Sequence, residues 1–200
     1  MTTKTREDVD VMAAIAERHT IARVTAAAVA TTTPTETAAA KATRYTLAGL
    51  RLALGWTFLW AFVDKVFGFG FATPEKNAWI NGGSPTKGFL ANAATGPFEG
   101  LYQSIAGAAW ADWLFMIGLA AIGTALILGI GLRVAAVAGG LLLAMMWTAV
   151  LPPENNPFMD DHLINAAVLA VLALTAAGNT LGLGKTWARQ PIVRQHTWLK

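Results

Sequence analysis

Cysteine is absent from this 200-residue chain and charge is scarce, and each shortage excludes a class of protein. Without cysteine the chain forms no disulfide, thiolate nucleophile, cysteine-ligated zinc site or iron–sulfur cluster. Charged residues make up 14% of the chain and hydrophobic residues 54%, whereas soluble domains carry about 25% charged residues. This composition disfavours a soluble globular protein and excludes full disorder.

The apolar residues are concentrated in four segments, each of about the length that crosses a bilayer. A hydrocarbon core of roughly 30 Å needs about 20 helical residues. The last three segments carry no Lys, Arg, Asp or Glu in their interiors, which is typical of helices in lipid. We therefore expect an all-α fold, a polytopic bundle of four transmembrane helices in the cell membrane. The four predicted spans are residues 47–71, 113–132, 134–151 and 163–183.

Two tails are predicted around this transmembrane domain of residues 47–183. Residues 1–46 form an N-terminal tail that is partly disordered or interfacial, with a helix over residues 6–30 and a flexible linker over the Thr-rich residues 30–40. No cleaved secretory signal is expected, because the start lacks a long apolar run. Residues 184–200 form a basic C-terminal tail.

The distribution of Lys and Arg predicts that both termini are cytoplasmic. All but four of the 15 Lys and Arg residues then lie inside, the exceptions being Arg51, Lys65, Lys76 and Lys87. The net charge of +3 and the pI near 9.5 therefore reflect topology, and no nucleic-acid partner is expected.

The first extracytoplasmic loop is too long for a plain connector. Apolar residues recur at helical spacing from Phe98 to Ala109, which predicts an amphipathic helix on the outer membrane surface. Small residues recur every four positions within the spans, for example Ala136, Gly140 and Ala144. This spacing favours close helix packing, within a compact bundle or in a homodimer or larger membrane complex.

Ionisable residues inside a span are costly and are therefore candidates for function. The first span holds Arg51 near its inner end and Asp64 and Lys65 near its outer end. An alternative remains open, in which Arg51 anchors the inner interface and Lys65 the outer one.

A second polar cluster runs from Glu154 to His162 and ends in Asp160, Asp161 and His162 at the start of the last span, with His162 one turn before Asn165. An Asp here can cap the helix, and a histidine exchanges protons near neutral pH. Because Asp161–His162 and Asp64–Lys65 fall at a similar depth, we expect these four residues, Asp64, Lys65, Asp161 and His162, to converge beneath the outer loop as catalytic residues.

These groups favour a quinone site, since a quinone needs donors for its carbonyl oxygens, a proton route and an apolar slot. We predict menaquinone or ubiquinone in a cleft bounded by the first and last spans. Simple packing is the alternative for the aromatic residues. No haem, iron–sulfur cluster or zinc is expected, and no metal site is predicted. The predicted quinone-binding residues are Arg51, Trp56, Trp60, Trp147 and Asn165.

The pattern Arg51-x-x-x-Gly55-Trp56-x-Phe58-Leu59-Trp60-Ala61-x-x-Asp64-Lys65 resembles the first span of the DoxX/DoxD family of four-helix membrane proteins. The resemblance covers about residues 44–184. It includes the Gly131-Leu132-Arg133 turn, the Asn156-Pro157…Asp161-His162 stretch and Trp79-Ile80-Asn81-Gly82-Gly83-Ser84-Pro85, which is similar to actinobacterial members.

The resemblance implies a link to sulfur or thiosulfate oxidation and to oxidative stress. DoxD is a membrane subunit associated with thiosulfate:quinone oxidoreductase, and actinobacterial DoxX proteins are linked to a complex with superoxide dismutase and a sulfurtransferase. It therefore implies a soluble redox or sulfur-enzyme partner, but it carries over no catalytic residue. Any thiosulfate chemistry here proceeds without a persulfide on this chain, which has no cysteine.

Two functions stay open at this point. The first is a quinone-linked oxidoreductase subunit of thiosulfate-dehydrogenase type. The second is a non-catalytic membrane scaffold or accessory subunit that binds protein partners through residues 1–46 or 184–200. A solute transporter is disfavoured, because the chain shows neither inverted repeats nor broken helices.

Overall fold

The computed structural model describes residues 6–31 and 36–200, and side-chain burial for residues 10–23 and 36–200. Within these ranges every regular element is helical, which confirms the all-α class. The α-helices are α1 Arg6–Thr31, α2 Ala38–Phe67, α3 Lys87–Asn92, α4 Glu99–Ser104, α5 Ala109–Leu128, α6 Leu132–Ala149, α7 Asp161–Leu174, α8 Gly184–Trp187 and α9 Pro191–Gln195.

The chain divides into two compact units, Met1–Lys41 and Ala42–Lys200. In the first unit α1 forms over the stretch where the sequence predicts a helix, and its residues 10–23 are all exposed. The predicted linker of residues 30–40 falls partly on residues 32–35, which lie outside the described residues.

Three helices in the described part of the chain, α2, α5 and α6, are long and apolar enough to cross a membrane. The fourth predicted span is not confirmed. Its helix α7 has 14 residues, so it rises about 21 Å and falls short of a core of roughly 30 Å. Helical geometry ends there because Ala176 takes a left-handed conformation with φ of 49°, and the chain continues as a 3-10 turn over Ala177–Asn179.

The first outer loop also differs from the prediction. Instead of one amphipathic helix from Phe98 to Ala109, the structure has α4, which ends at Ser104, and α5, which begins at Ala109. Gly107 separates them with a φ of +79°, a backbone conformation that interrupts a helix. The predicted amphipathic helix in this loop is therefore not confirmed.

Glycines let the long helices approach closely. A Cβ on Gly123 of α5 would lie 2.8 Å from the backbone nitrogen of Leu59 in α2, and a Cβ on Gly55 would lie 2.8 Å from the Cβ of Leu126. Gly139 of α6 meets Leu169 of α7 in the same way. Around these contacts the core is built mainly from leucine, with Phe58, Met116 and Ile122.

The C-terminal residues fold back onto the bundle. After α8 and α9, a 3-10 turn over Thr197–Leu199 brings the main-chain oxygen of Lys200 to 2.8 Å from the backbone nitrogen of Arg133, which donates a hydrogen bond to it. The indole nitrogen of Trp187 donates to the carbonyl of Leu199 at 2.6 Å, and Val193 is fully buried. This segment is thus ordered against the start of α6.

Candidate functional site

Asp64 lies in the last turn of α2 and is buried, with 1% of its surface exposed. Its Oδ2 accepts a hydrogen bond from the backbone nitrogen of Ala72 at 3.0 Å, which ties the chain after α2 back onto the helix. Its Oδ1 is buried and has no hydrogen-bond partner among the described residues. Gly68 makes this tight return possible, because it takes a φ of +70° and a Cβ there would lie 2.6 Å from the Cα of Glu75.

Lys65 is half-buried and has a different environment. Its Nζ lies 5.8 Å from the centroid of the Phe115 ring, within the range of a cation–π contact. No carboxylate of the described chain forms an ion pair with it. The ammonium thus forms no salt bridge in this part of the chain, and the carboxylate of Asp64 is next to it in the sequence.

Two cavities meet at Lys65. The first, of about 160 Å³, lies among α3, α4, α5 and α6 and is almost wholly apolar. The second is a cleft of about 690 Å³ under the loop that follows α2. Lys65, Pro85 and Phe89 line both. Other residues of the apolar cavity include Tyr102, Trp110, Leu114, Phe115 and Met145.

The cleft is more polar than the first cavity and carries positive charge. Lys65 and Lys87 line it together with hydroxyl and amide groups from Thr73, Asn77, Ser84 and Asn92, and its lining holds no carboxylate. The apolar cavity and the cleft, whose lining suits an anion, thus share the ammonium group of Lys65.

Asp112 and Tyr102 hold the walls of this site. Asp112, buried in the first turn of α5, accepts hydrogen bonds through Oδ1 from the Ser84 hydroxyl at 2.9 Å and from Thr86, through its backbone nitrogen at 3.0 Å and its hydroxyl at 2.6 Å. The Tyr102 hydroxyl donates to the carbonyl of Met145 at 3.0 Å. Sequence reasoning predicted neither role. The available signal was an aspartate in a helical first turn with a Ser-Pro-Thr segment in the preceding loop.

Arg51 lies at the other end of α2 and is fully buried. Its guanidinium donates to the carbonyls of Leu126 and Ile127 (2.9 Å) at the end of α5 and of Leu181 (2.8 Å) and Thr180 (3.4 Å) after α7. Carbonyls in the last turn of a helix lack intrahelical donors, so a guanidinium suits them. Arg51 is 14 residues from Lys65, about 21 Å along the helix, and joins three segments of the bundle.

Asp160 and His162 form a pair at the start of α7. Asp160 caps the helix, since its Oδ1 accepts from the backbone nitrogen of Leu163 at 3.2 Å, and its Oδ2 lies 2.6 Å from Nδ1 of His162. Asp161 is 82% exposed, with Oδ1 3.5 Å from the same nitrogen. The three residues place one possible ligand atom each within 4.8 Å of one another. Neither cavity beside Lys65 is lined by Asp161 or His162, so the structure does not bring the four predicted catalytic residues together there.

The predicted quinone-binding aromatics also lie outside the two cavities. Trp56 is 57% exposed, and its ring centroid lies 5.7 Å from that of Trp60. Trp60 in turn contacts the rings of Phe69 and Phe71, which follow α2, so these residues form an aromatic surface at the end of that helix. The Trp147 indole nitrogen donates to the carbonyl of Phe158 at 2.8 Å. Asn165 is half-buried on α7.

Comparison with known proteins adds no assignment. No family model, no curated protein and no solved structure matches the chain. The DoxX/DoxD resemblance therefore remains a prediction from the residues of the sequence, and the geometry around Lys65 carries the functional argument.

Proposed function

We propose that this chain is a multi-pass membrane protein of DoxX type that binds a quinone in the apolar cavity beside Lys65. The observation that carries the proposal is the position of the Lys65 ammonium, which forms no salt bridge among the described residues and lies where an apolar cavity meets a more polar cleft. An amphiphile with an acceptor oxygen at one end fits such a boundary, because an ammonium donates a charge-assisted hydrogen bond to a carbonyl oxygen.

The proposed membrane arrangement has four spans with both termini in the cytoplasm. The apolar helix α7 and the segment after it make the fourth crossing, and α3 and α4 lie at the outer surface. This arrangement is supported by the apolar sequence of residues 163–183 and by the concentration of Lys and Arg outside the spans. It places Lys65 toward the outer side and Arg51 toward the cytoplasm.

The residues present suit a quinone. When bound, a quinone supplies a lipid-soluble carrier of electrons and protons. Lys65 binds and orients the acceptor oxygen, while the rings of Phe115, Phe89 and Trp110 exclude water from the cavity. Asp64 fixes part of the cleft wall, because its carboxylate accepts a hydrogen bond from the backbone nitrogen of Ala72, which lines the cleft.

The polar cleft is the proposed entry for the electron donor. Its two lysines and its hydroxyl and amide groups favour a small anion, in keeping with the sulfur or thiosulfate link that the DoxX resemblance implies. His162 and Asp161 act in this proposal as a proton-exchanging pair on the outer side, with Asp160 orienting the imidazole ring. Because this chain has no cysteine, any step that needs a thiol is assigned in this proposal to a soluble sulfur enzyme of the same membrane complex.

Purified protein provides the test. Organic extraction should release a quinone, and a soluble quinone analogue should quench the fluorescence of Trp110 in the cavity wall. Lys65→Met should weaken binding of the analogue about tenfold or more, since a hydrogen bond from a charged donor contributes about 1.5–3 kcal/mol. Lys65→Arg should restore part of the affinity.

The matched control is Lys76→Met, which removes an exposed lysine that follows α2 and lines neither cavity. Adding thiosulfate to the complex from native membranes should reduce the analogue. The proposal fails if no quinone is extracted and the analogue binds native protein and the Lys65→Met variant equally.

A scaffold function is the second candidate, and α1 is the observation that favours it. Four apolar side chains of this helix are largely exposed: Val11, Met12, Ile15 and Ile21. Large apolar side chains left exposed on a helix favour contact with another surface. Pull-down from native membranes should recover a partner that is lost when residues 1–31 are deleted. Recovery of the same partners without α1 would reject this role.

A further inference from the structure

At the opposite end of α6 from the Lys65 cavity, a groove runs between this helix and the folded C-terminal segment. Its volume is about 480 Å³, and one wall is formed by Val134, Val137, Ala138 and Leu141 of α6. The other wall is formed by Thr197 and Trp198. Lys65 does not line this groove, so its ligand is independent of the quinone proposal.

The groove has the shape and polarity of an acyl-chain site. Val134, Val137 and Leu141 follow one another along a single face of α6 over about 10 Å, and each is exposed in the bundle, Val137 to 66%. The indole of Trp198, also exposed, lies across from them. A tryptophan in this position is typical of the interface between headgroups and hydrocarbon.

One positive charge marks the end of the groove. Arg133 is exposed and uses Nη1 to donate to the carbonyl of Thr197 at 2.9 Å. The rest of its five-donor guanidinium has no partner in the described chain. A second cavity next to it, of about 120 Å³, is lined by both Arg133 and Lys200.

The sequence around the groove contributes no acidic side chain. Residues 113–153 and 162–200 contain no Asp or Glu, whereas the C-terminal segment adds Lys185, Arg189 and Arg194. Guanidinium groups bind phosphate oxygens in a bidentate manner. We propose that this groove binds one anionic phospholipid, with an acyl chain along Val134–Leu141 and the phosphate on Arg133.

The test uses the full chain in detergent, titrated with phosphatidylglycerol or with phosphatidylcholine of the same acyl chains and followed by native mass spectrometry. Phosphatidylglycerol should bind more tightly. Arg133→Gln should weaken its binding about fivefold, the factor expected for one basic residue near an anionic headgroup, whereas Arg189→Gln, outside the groove, should leave it unchanged.

A second variant tests the acyl-chain wall without altering charge. Val137→Trp fills the groove and should weaken binding of both lipids, whereas Ile117→Trp, at an exposed position of α5, should not. Excess inorganic phosphate should not compete. The proposal is overturned if the two lipids bind equally, if Arg133→Gln and Arg189→Gln behave alike, if phosphate alone displaces the lipid, or if Val137→Trp changes only the oligomeric state.

Discussion

Replacing Arg51 with methionine should destabilise the bundle more than any other single loss of charge in α2. Methionine keeps the apolar stem of the side chain but removes the donors to Leu126, Ile127 and Leu181. Each hydrogen bond from a charged donor contributes about 1.5–3 kcal/mol. Removing the charge also removes its own cost of burial, so we expect a net loss of about 3–5 kcal/mol.

The loss should be visible in two measurements. In a detergent melt, a protein of this size loses about 2–4 °C per kcal/mol, so the midpoint should fall by roughly 10 °C. Hydrogen exchange should accelerate at the amide of Leu183, which donates to the carbonyl of Leu128 at 2.8 Å and depends on the same junction. Arg51→Lys should fall between the two proteins, because an ammonium cannot bridge the end of α5 and the segment after α7 as the forked guanidinium does.

Arg189→Met serves as the control, since Arg189 is exposed on the folded C-terminal segment. A melting midpoint for Arg51→Met within about 2 °C of the native protein, with unchanged exchange at Leu183, would refute the reasoning. Loss of quinone binding without loss of stability would instead assign Arg51 to a ligand, as the sequence predicts.

Two further substitutions test the packing and the walls of the site. Gly123→Ala should cost about 1–3 kcal/mol in the free energy of unfolding because its Cβ meets the Leu59 backbone; Gly140→Ala, which meets open space, should be neutral or stabilising, and equal effects would contradict the packing. Asp112→Ala should cost about 2–3 kcal/mol, since it leaves buried donors without an acceptor, and should speed amide exchange in the preceding loop. Glu154→Ala, at an exposed carboxylate, is its control, and an equal loss there would reject the role of Asp112.

Hydropathy was sufficient to predict the helical class and the long apolar helices, because burial in lipid depends on composition summed over a segment. It was not sufficient for α7. Residues 175–183 are apolar enough to continue a span, yet they contain Gly178, Gly182 and Asn179, which form helices poorly. Hydropathy does not include the low helix propensity of these residues, so the predicted span extends beyond Leu174, where α7 ends.

The candidate site was predictable only in part, since its walls come from distant segments. Lys65 was identifiable as a charge within a span, but its cavity depends on Tyr102 and Met145, which come from two other helices. The sequence also did not show which small residue of α6 packs against a neighbouring helix. The sequence stripe includes Gly140, whereas the structure uses its neighbour Gly139 against α7, because helix rotation is set by packing and not by spacing alone.

The partners of Arg51 also constrain how the chain is made. Leu181 follows Arg51 by 130 residues, and synthesis proceeds at about 5–20 residues per second. In the proposed membrane arrangement, the first span therefore enters the membrane carrying a guanidinium whose last acceptors emerge roughly 6–26 s later. Until then water at the interface or the insertion machinery must solvate that charge, so the completion of the chain, and not the insertion of α2, sets the moment at which the bundle closes.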